Sequence, residues 1–158
     1  MANVRLILVA ALVGCGQAGA EPPGLTVPKG WEKLPAIAEA VRTATASKTV
    51  RSATVDAWGE RAMGCYAVRL QLTGAGAPAA LAQQILDGIK TEPTIAVRDV
   101  VSPPGPGVLS FAFDRPPYRG RMRALLGSGT ISAVACFANQ REPQACALAC
   151  DGVLGGIK

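Results

Sequence analysis

Apolar residues recur along the chain in two different periods, and the changes between them mark out its elements. From Pro35 onward, Ile37, Ala38, Val41 and Ala44 fall three and four residues apart. That spacing predicts a helix with one buried side, and proline suits its first turn because an N–H there has no intrahelical partner. Val50 to Trp58 is rich in β-formers, and Cys65 to Leu72 alternates so that Tyr66, Val68, Leu70 and Leu72 share one face of a half-buried strand. Pro78 to Lys90 returns to the helical period, with Leu81, Ile85, Leu86 and Ile89 on one stripe. Thr94 to Val101 and Val108 to Phe113 flank Pro103-Pro104-Gly105-Pro106-Gly107 as a wide-looped hairpin. Arg121 to Leu126 and Thr130 to Phe137 flank Gly127-Ser128-Gly129 as a tighter one. A helix from about Pro143 to Gly155 closes the pattern. Strands grouped in meanders with helices at the ends predict an α+β domain, with an antiparallel sheet of about five or six strands covered by two or three helices.

The first residues obey neither period. Arg5 supplies one positive charge and Leu6 to Val13 is an unbroken apolar run of eight residues. A spanning helix needs about 20, so this reads as a signal peptide that is recognised during export and removed. The tetrad Leu12-Val13-Gly14-Cys15 resembles the lipobox of bacterial lipoproteins. The resemblance covers only this end of the chain and implies cleavage after Gly14, diacylglycerol on the Cys15 thiol and usually a third acyl chain on the new amino terminus. Two or three chains anchor far more firmly than one, since each buried methylene adds about 0.8 kcal/mol. Gly16 and Gln17 follow, not Asp, which by analogy with the enterobacterial sorting rule implies the outer membrane, facing the periplasm. The expected organisation is thus a signal peptide over 1–14, a lipid-anchored tether over 15–33 that is rich in Gly and Pro, and one globular domain over 34–158. In element order that domain resembles helix-capped antiparallel folds of the photosystem-accessory type.

Removing 1–14 leaves 144 residues, the size of one domain, with 15 cations against 11 acids. So mild an excess, in an exported chain, argues against nucleic acid as a partner. Four cysteines remain once Cys15 carries lipid: Cys65, Cys136, Cys146 and Cys150. An even number in an oxidising compartment reads as two disulfides, for which three connectivities exist. Cys146, Cys150, Val153, Leu154 and Ile157 share one stripe of the last helix, so both of its sulfurs face the sheet and the helix should be cross-linked to it. Cys136 lies about 4 residues before the turn, roughly 13 Å at strand rise. Cys150 lies about 8 residues beyond it, roughly 12 Å at helical rise, and Cys146 about half as far. The match favours Cys136 with Cys150, leaving Cys65 with Cys146. The spacing C-x9-C-x3-C is not a familiar zinc pattern, and no cofactor or metal is expected.

The chain holds no histidine, which removes Ser-His-Asp and Cys-His nucleophiles and histidine-based zinc hydrolases together. Asp56 and Glu60, either side of Trp58, are a conceivable carboxylate pair for a glycosidase-like enzyme, against the plainer reading of solvated loop acids. Gly74-Ala75-Gly76-Ala77-Pro78-Ala79 superficially follows a dinucleotide fingerprint, but its proline and the lack of parallel βαβ units read it as a plain strand-to-helix connection. The surface feature with most chemistry is Asp114 to Arg123, where Arg115, Arg119, Arg121 and Arg123 fall within nine residues beside Tyr118. If the strand begins by Arg119, its three arginines share a face and can meet anionic groups of the envelope or an acidic partner protein through charge-assisted bonds. The competing reading makes them the wet side of a half-buried strand that blunts a sheet edge. Three functions follow as expectations. The first is a non-catalytic binding or assembly accessory module in the envelope. The second is a small-molecule or lipid carrier with an apolar cavity, and the third a carboxylate-only enzyme.

Overall fold

The computed structural model describes residues 26–45, 52–73, 77–141 and 143–157. The expected signal peptide, Cys15, the first part of the tether and the Gly74-Ala75-Gly76 turn lie outside the described residues. The elements are β1 (Glu32–Lys33), α1 (Pro35–Thr45), β2 (Ser52–Glu60), β3 (Cys65–Thr73), α2 (Pro78–Lys90), β4 (Ala96–Val101), β5 (Gly107–Arg115), β6 (Tyr118–Gly127), β7 (Thr130–Asn139) and α3 (Pro143–Gly155). All seven strands join one antiparallel sheet in the order β1-β2-β3-β7-β6-β5-β4. The fold is therefore the expected α+β class, with one strand more than the sequence pattern predicts. The extra strand, β1, is too short to show a period and falls inside the span expected to be tether. Glu32 pairs with Gly59 and Lys33 with Trp58, and Trp31 packs against buried residues around Cys65 and Cys146, so the fold begins before residue 34.

Two local meanders, β2–β3 and β4 through β7, meet at the β3–β7 ladder, where Cys65 lies opposite Ala138 and Thr73 opposite Thr130. The α2 segment carries the chain from β3, near the middle of the sheet, to β4 at its far edge. Alternation along each strand then sorts side chains onto two unlike faces. One face, with Val68, Leu70, Leu72, Phe111, Phe113, Met122, Leu126 and Ile131, packs with Val41 of α1 and Ile85 and Ile89 of α2 into the main core. Fully burying each such large side chain is worth about 1.5–3 kcal/mol. On the opposite face Ala67, Val134 and Cys136 pack with Cys150, Val153, Leu154 and Ile157 of α3 and its end.

Strand β6 runs through Gly120, although glycine weakens a strand interior. A Cβ there would lie 2.5 Å from Phe113 Cζ and 2.6 Å from the Cys136 carbonyl oxygen. Glycine is what lets the buried Phe113 ring lie across β6.

Candidate functional site

Hairpin register places Arg121 opposite Cys136 across β6 and β7, and Cys136 is bridged to Cys150 of α3 at a Cα–Cα separation of 5.5 Å. Cys65 is bridged to Cys146 at 5.6 Å. These are the pairs that the rise comparison favours, and together they hold α3 along the middle of the sheet. All four cysteines are buried, at 5% exposure or less. Because α3 is one narrow cylinder over a seven-stranded sheet, a groove opens between it and strands β4 to β6.

Arg119, Arg121 and Arg123 alternate along β6 on the α3 side and line this groove. Arg119 Nε donates to Asp114 Oδ1 on β5 at 2.6 Å, and Arg98 Nε on β4 donates to Asp114 Oδ2 at 2.8 Å. The Arg98 guanidinium, and after it that of Arg119, holds the Asp114 carboxyl below the usual carboxylate range, and the same contact raises the pKa of Arg98. Arg121 Nη2 sits 2.7 Å from Asp151 Oδ1 of α3. Arg123 Nη1 donates to the Leu154 carbonyl at 3.4 Å, where the end of a helix favours a cation. At β4 the ladder to β5 slips between Arg98 and Val101, and Asp99 takes φ 55°. That left-handed conformation suits a short acidic side chain, and the Asp99 carboxylate meets Arg98 Nη1 at 3.2 Å.

The groove nearest the start of α3 has a volume of about 390 Å³, with Ala112, Gly120, Ala138 and the Cys136–Cys150 bridge among its lining and Arg98, Arg119 and Arg121 as its cations. Chemically it offers an apolar floor with guanidinium groups at its rim. Among the described residues the η nitrogens of Arg119 have no protein partner, so they can donate in parallel to a carboxylate or phosphate.

The five candidate residues do not form one cluster. Arg115 pairs with Tyr118 where β5 meets β6. Tyr118 points to the α1/α2 side, its ring 5.7 Å from Phe137 and 6.0 Å from Tyr66. Alternation also puts Arg115 on the opposite side from Asp114. Arg98, Asp99 and Asp151 also line the groove, and Asp114 holds two of its cations, although the sequence pattern did not single these residues out. Asp151 was the traceable one: it follows Cys150, whose bridge leads to Cys136 and so, by the hairpin register, to Arg121. Asp56 and Glu60 do not converge. Arg69 Nη2 donates to Asp56 Oδ2 at 2.5 Å, and Glu60 Oε1 accepts the Ala62 N–H at 3.2 Å. Four residues apart on one strand, the two acids stand roughly 13 Å from each other, farther than the carboxylate spacings of glycosidases. No apolar cavity enters the main core among the grooves described, which open to solvent. Among the described residues no group of His, Cys, Asp and Glu could hold a metal ion, and no helix is long and apolar enough to cross a membrane.

No known family model matches the chain, and no curated protein matches it. Among solved structures it is similar to the crystal structure of LpqN, involved in cell envelope biogenesis of Mycobacterium tuberculosis. The TM-score is 0.47 at 14% sequence identity, over 84% of this chain and 83% of that one.

Proposed function

We propose that the chain is a cell-envelope lipoprotein whose domain is a non-catalytic binding or assembly module. In this reading the signal peptide is cleaved after Gly14 and Cys15 carries the lipid. Gly16 and Gln17, in place of an acidic residue, direct the product to the outer membrane, facing the periplasm. The observation that carries the binding role is the groove beside α3, where Arg119 and Arg121 keep 60% and 46% of their side chains exposed at the rim of an apolar floor. Such a rim suits an acidic segment of another envelope protein or an anionic envelope component, held by bidentate guanidinium contacts. Two buried disulfides keep the groove wall fixed without the ligand, which lowers the entropy lost on binding.

The test compares proteins co-isolated with the detergent-solubilised wild type and with an Arg119→Ser/Arg121→Ser/Arg123→Ser variant, using quantitative mass spectrometry. The disulfides hold α3 in both, and circular dichroism checks that they do. Loss of specific acidic partners from the variant is expected. An unchanged partner set would sink the proposed surface.

A further inference from the structure

Strand β1 runs antiparallel to β2, with Glu32 opposite Gly59 and Lys33 opposite Trp58. The chain preceding β1 therefore leaves the sheet at the end where β2 turns into β3. The Trp31 N–H donates to the Pro28 carbonyl at 3.2 Å, and Trp31 packs beside Cys65 and Cys146, which fixes the point of departure. Three connections meet at the same end: the β2–β3 turn (61–64), the β5–β6 turn (116–117) and the start of the link from β7 to α3 (140–141). Backbone bonds join them, from Asn139 N–H to the Gly64 carbonyl and from Gln140 N–H to the Pro117 carbonyl, both at 3.0 Å.

This end of the molecule carries Lys29, Arg61 and Arg141, which are exposed, and Arg115, which is half-buried. Among the described residues none of the four pairs with an acid, whereas Arg69, Arg98, Arg119 and Arg121 on the strands all do. Beside the cations Met63 is 37% exposed, and Pro116 and Pro117 are exposed. Among the described residues the carboxylates at this end are Glu32 and Glu60 by β1, the latter accepting the Ala62 N–H, Glu92 ahead of β4, and Asp114, whose two oxygens are already taken by Arg98 and Arg119.

We propose that this end of the sheet, through Arg61, Arg115 and Arg141, is a contact surface for the anionic headgroups of the membrane that holds the tether. The orientation rests on the lipid anchor proposed at Cys15. From Cys15 to Thr26 the chain can reach at most about 40 Å. The tether thus keeps the basic end, and not the far end of the sheet, next to the bilayer. Opposite charges are felt only within a screening length of about 8–10 Å, so the tether delivers these cations into the range where they act. Each basic residue at an anionic surface favours contact roughly fivefold, and three together on the order of a hundredfold. Met63 and the two prolines present apolar atoms at the headgroup level.

The chain extracted in detergent from membranes of cells that express it is mixed with vesicles of phosphatidylcholine alone and of phosphatidylcholine with 30% phosphatidylglycerol, floated, and its arginines labelled with phenylglyoxal for mass spectrometry. Protection of Arg61, Arg115 and Arg141 on the anionic vesicles only, reversed by 1 M salt and with Arg42 on α1 labelled equally on both, is expected. An Arg61→Ser/Arg115→Ser/Arg141→Ser variant should float with both vesicles but lose the salt-sensitive contact, read as restored labelling of a lysine-reactive probe at Lys29. Equal labelling on both vesicles overturns the contact surface and leaves the anchor standing. Flotation with anionic vesicles alone keeps the surface and overturns the anchor. Flotation with neither overturns both.

Discussion

Asp114 ties three strands together, because its two oxygens take Arg98 from β4 and Arg119 from β6. Its carboxyl titrates below the ordinary range when folded and near 3.9 when unfolded. The unfolded chain therefore binds the proton first as pH falls. The clamp contributes stability that is complete above the ordinary carboxylate value and disappears as pH drops through the folded one. Acid denaturation followed by circular dichroism should accordingly fall more steeply below about pH 4 for wild type than for Asp114→Asn, and parallel curves would refute the clamp. Gly120 makes a separate demand on its position. Adding a Cβ there sets it against the Phe113 ring, the Cys136 carbonyl and the Phe137 Cβ, so Gly120→Ala should cost about 1–3 kcal/mol by overpacking, measured by denaturant melts. A loss within experimental error would mean that the Phe113 ring can shift aside.

At the scale of elements, α3 is fastened more than it is buried. Its sheet-facing stripe is short, and Leu148 on its outer side is 75% exposed. The bridges must supply what apolar area does not. Loop-closure entropy assigns about 3 kcal/mol to Cys136–Cys150 and about 4.5 kcal/mol to Cys65–Cys146, whose sequence separations are 14 and 81. Urea unfolding of Cys136→Ala/Cys150→Ala and Cys65→Ala/Cys146→Ala should therefore rank the second pair as the more destabilised, and the reverse order would count against the chain-entropy account. The elements themselves were largely legible. Helices α2 and α3 run over 78–90 and 143–155 as their periods predict, because proline opens each and the apolar stripe is local information. The disulfide pairing was legible too: the stripe on α3 turns both of its sulfurs to the sheet, strand and helix rises set Cys150 level with Cys136, and Cys65 with Cys146 is the pair that remains. Strand β6 is longer than its alternation suggests, because Gly120 and Pro117 read locally as breakers. The β3–β7 ladder joins segments nearly 60 residues apart, and no local period encodes it. For the same reason Arg98 could not be placed beside Arg119: their meeting requires β4, β5 and β6 to be in register at once.

The whole molecule has one sheet face closed by two helices and the other crossed by a single pinned helix, so its open chemistry lies on one side and at one end. The groove begins beside Asn139 and Gln140, at the end from which the tether leaves, and passes along α3 toward Gly155. A lipid on Cys15 would thus point one mouth of the groove at the membrane and the other away from it. The anchor is the premise with the largest consequence and the most direct check. If Cys15 is lipidated, the intact mature chain should begin at Cys15 and weigh more by a diacylglycerol thioether, with or without an N-acyl group. It should also stay in the membrane pellet through a high-salt wash, because two or three acyl chains hold by apolar transfer, which salt does not weaken. Cys15→Ser removes the thiol and should prevent both the modification and the cleavage that depends on it. The basic end alone behaves differently, since its attraction is screened within a few ångströms at 1 M salt. Wild type released by salt would therefore be a peripheral protein held by charge, and an unmodified amino terminus starting elsewhere would remove the anchor altogether.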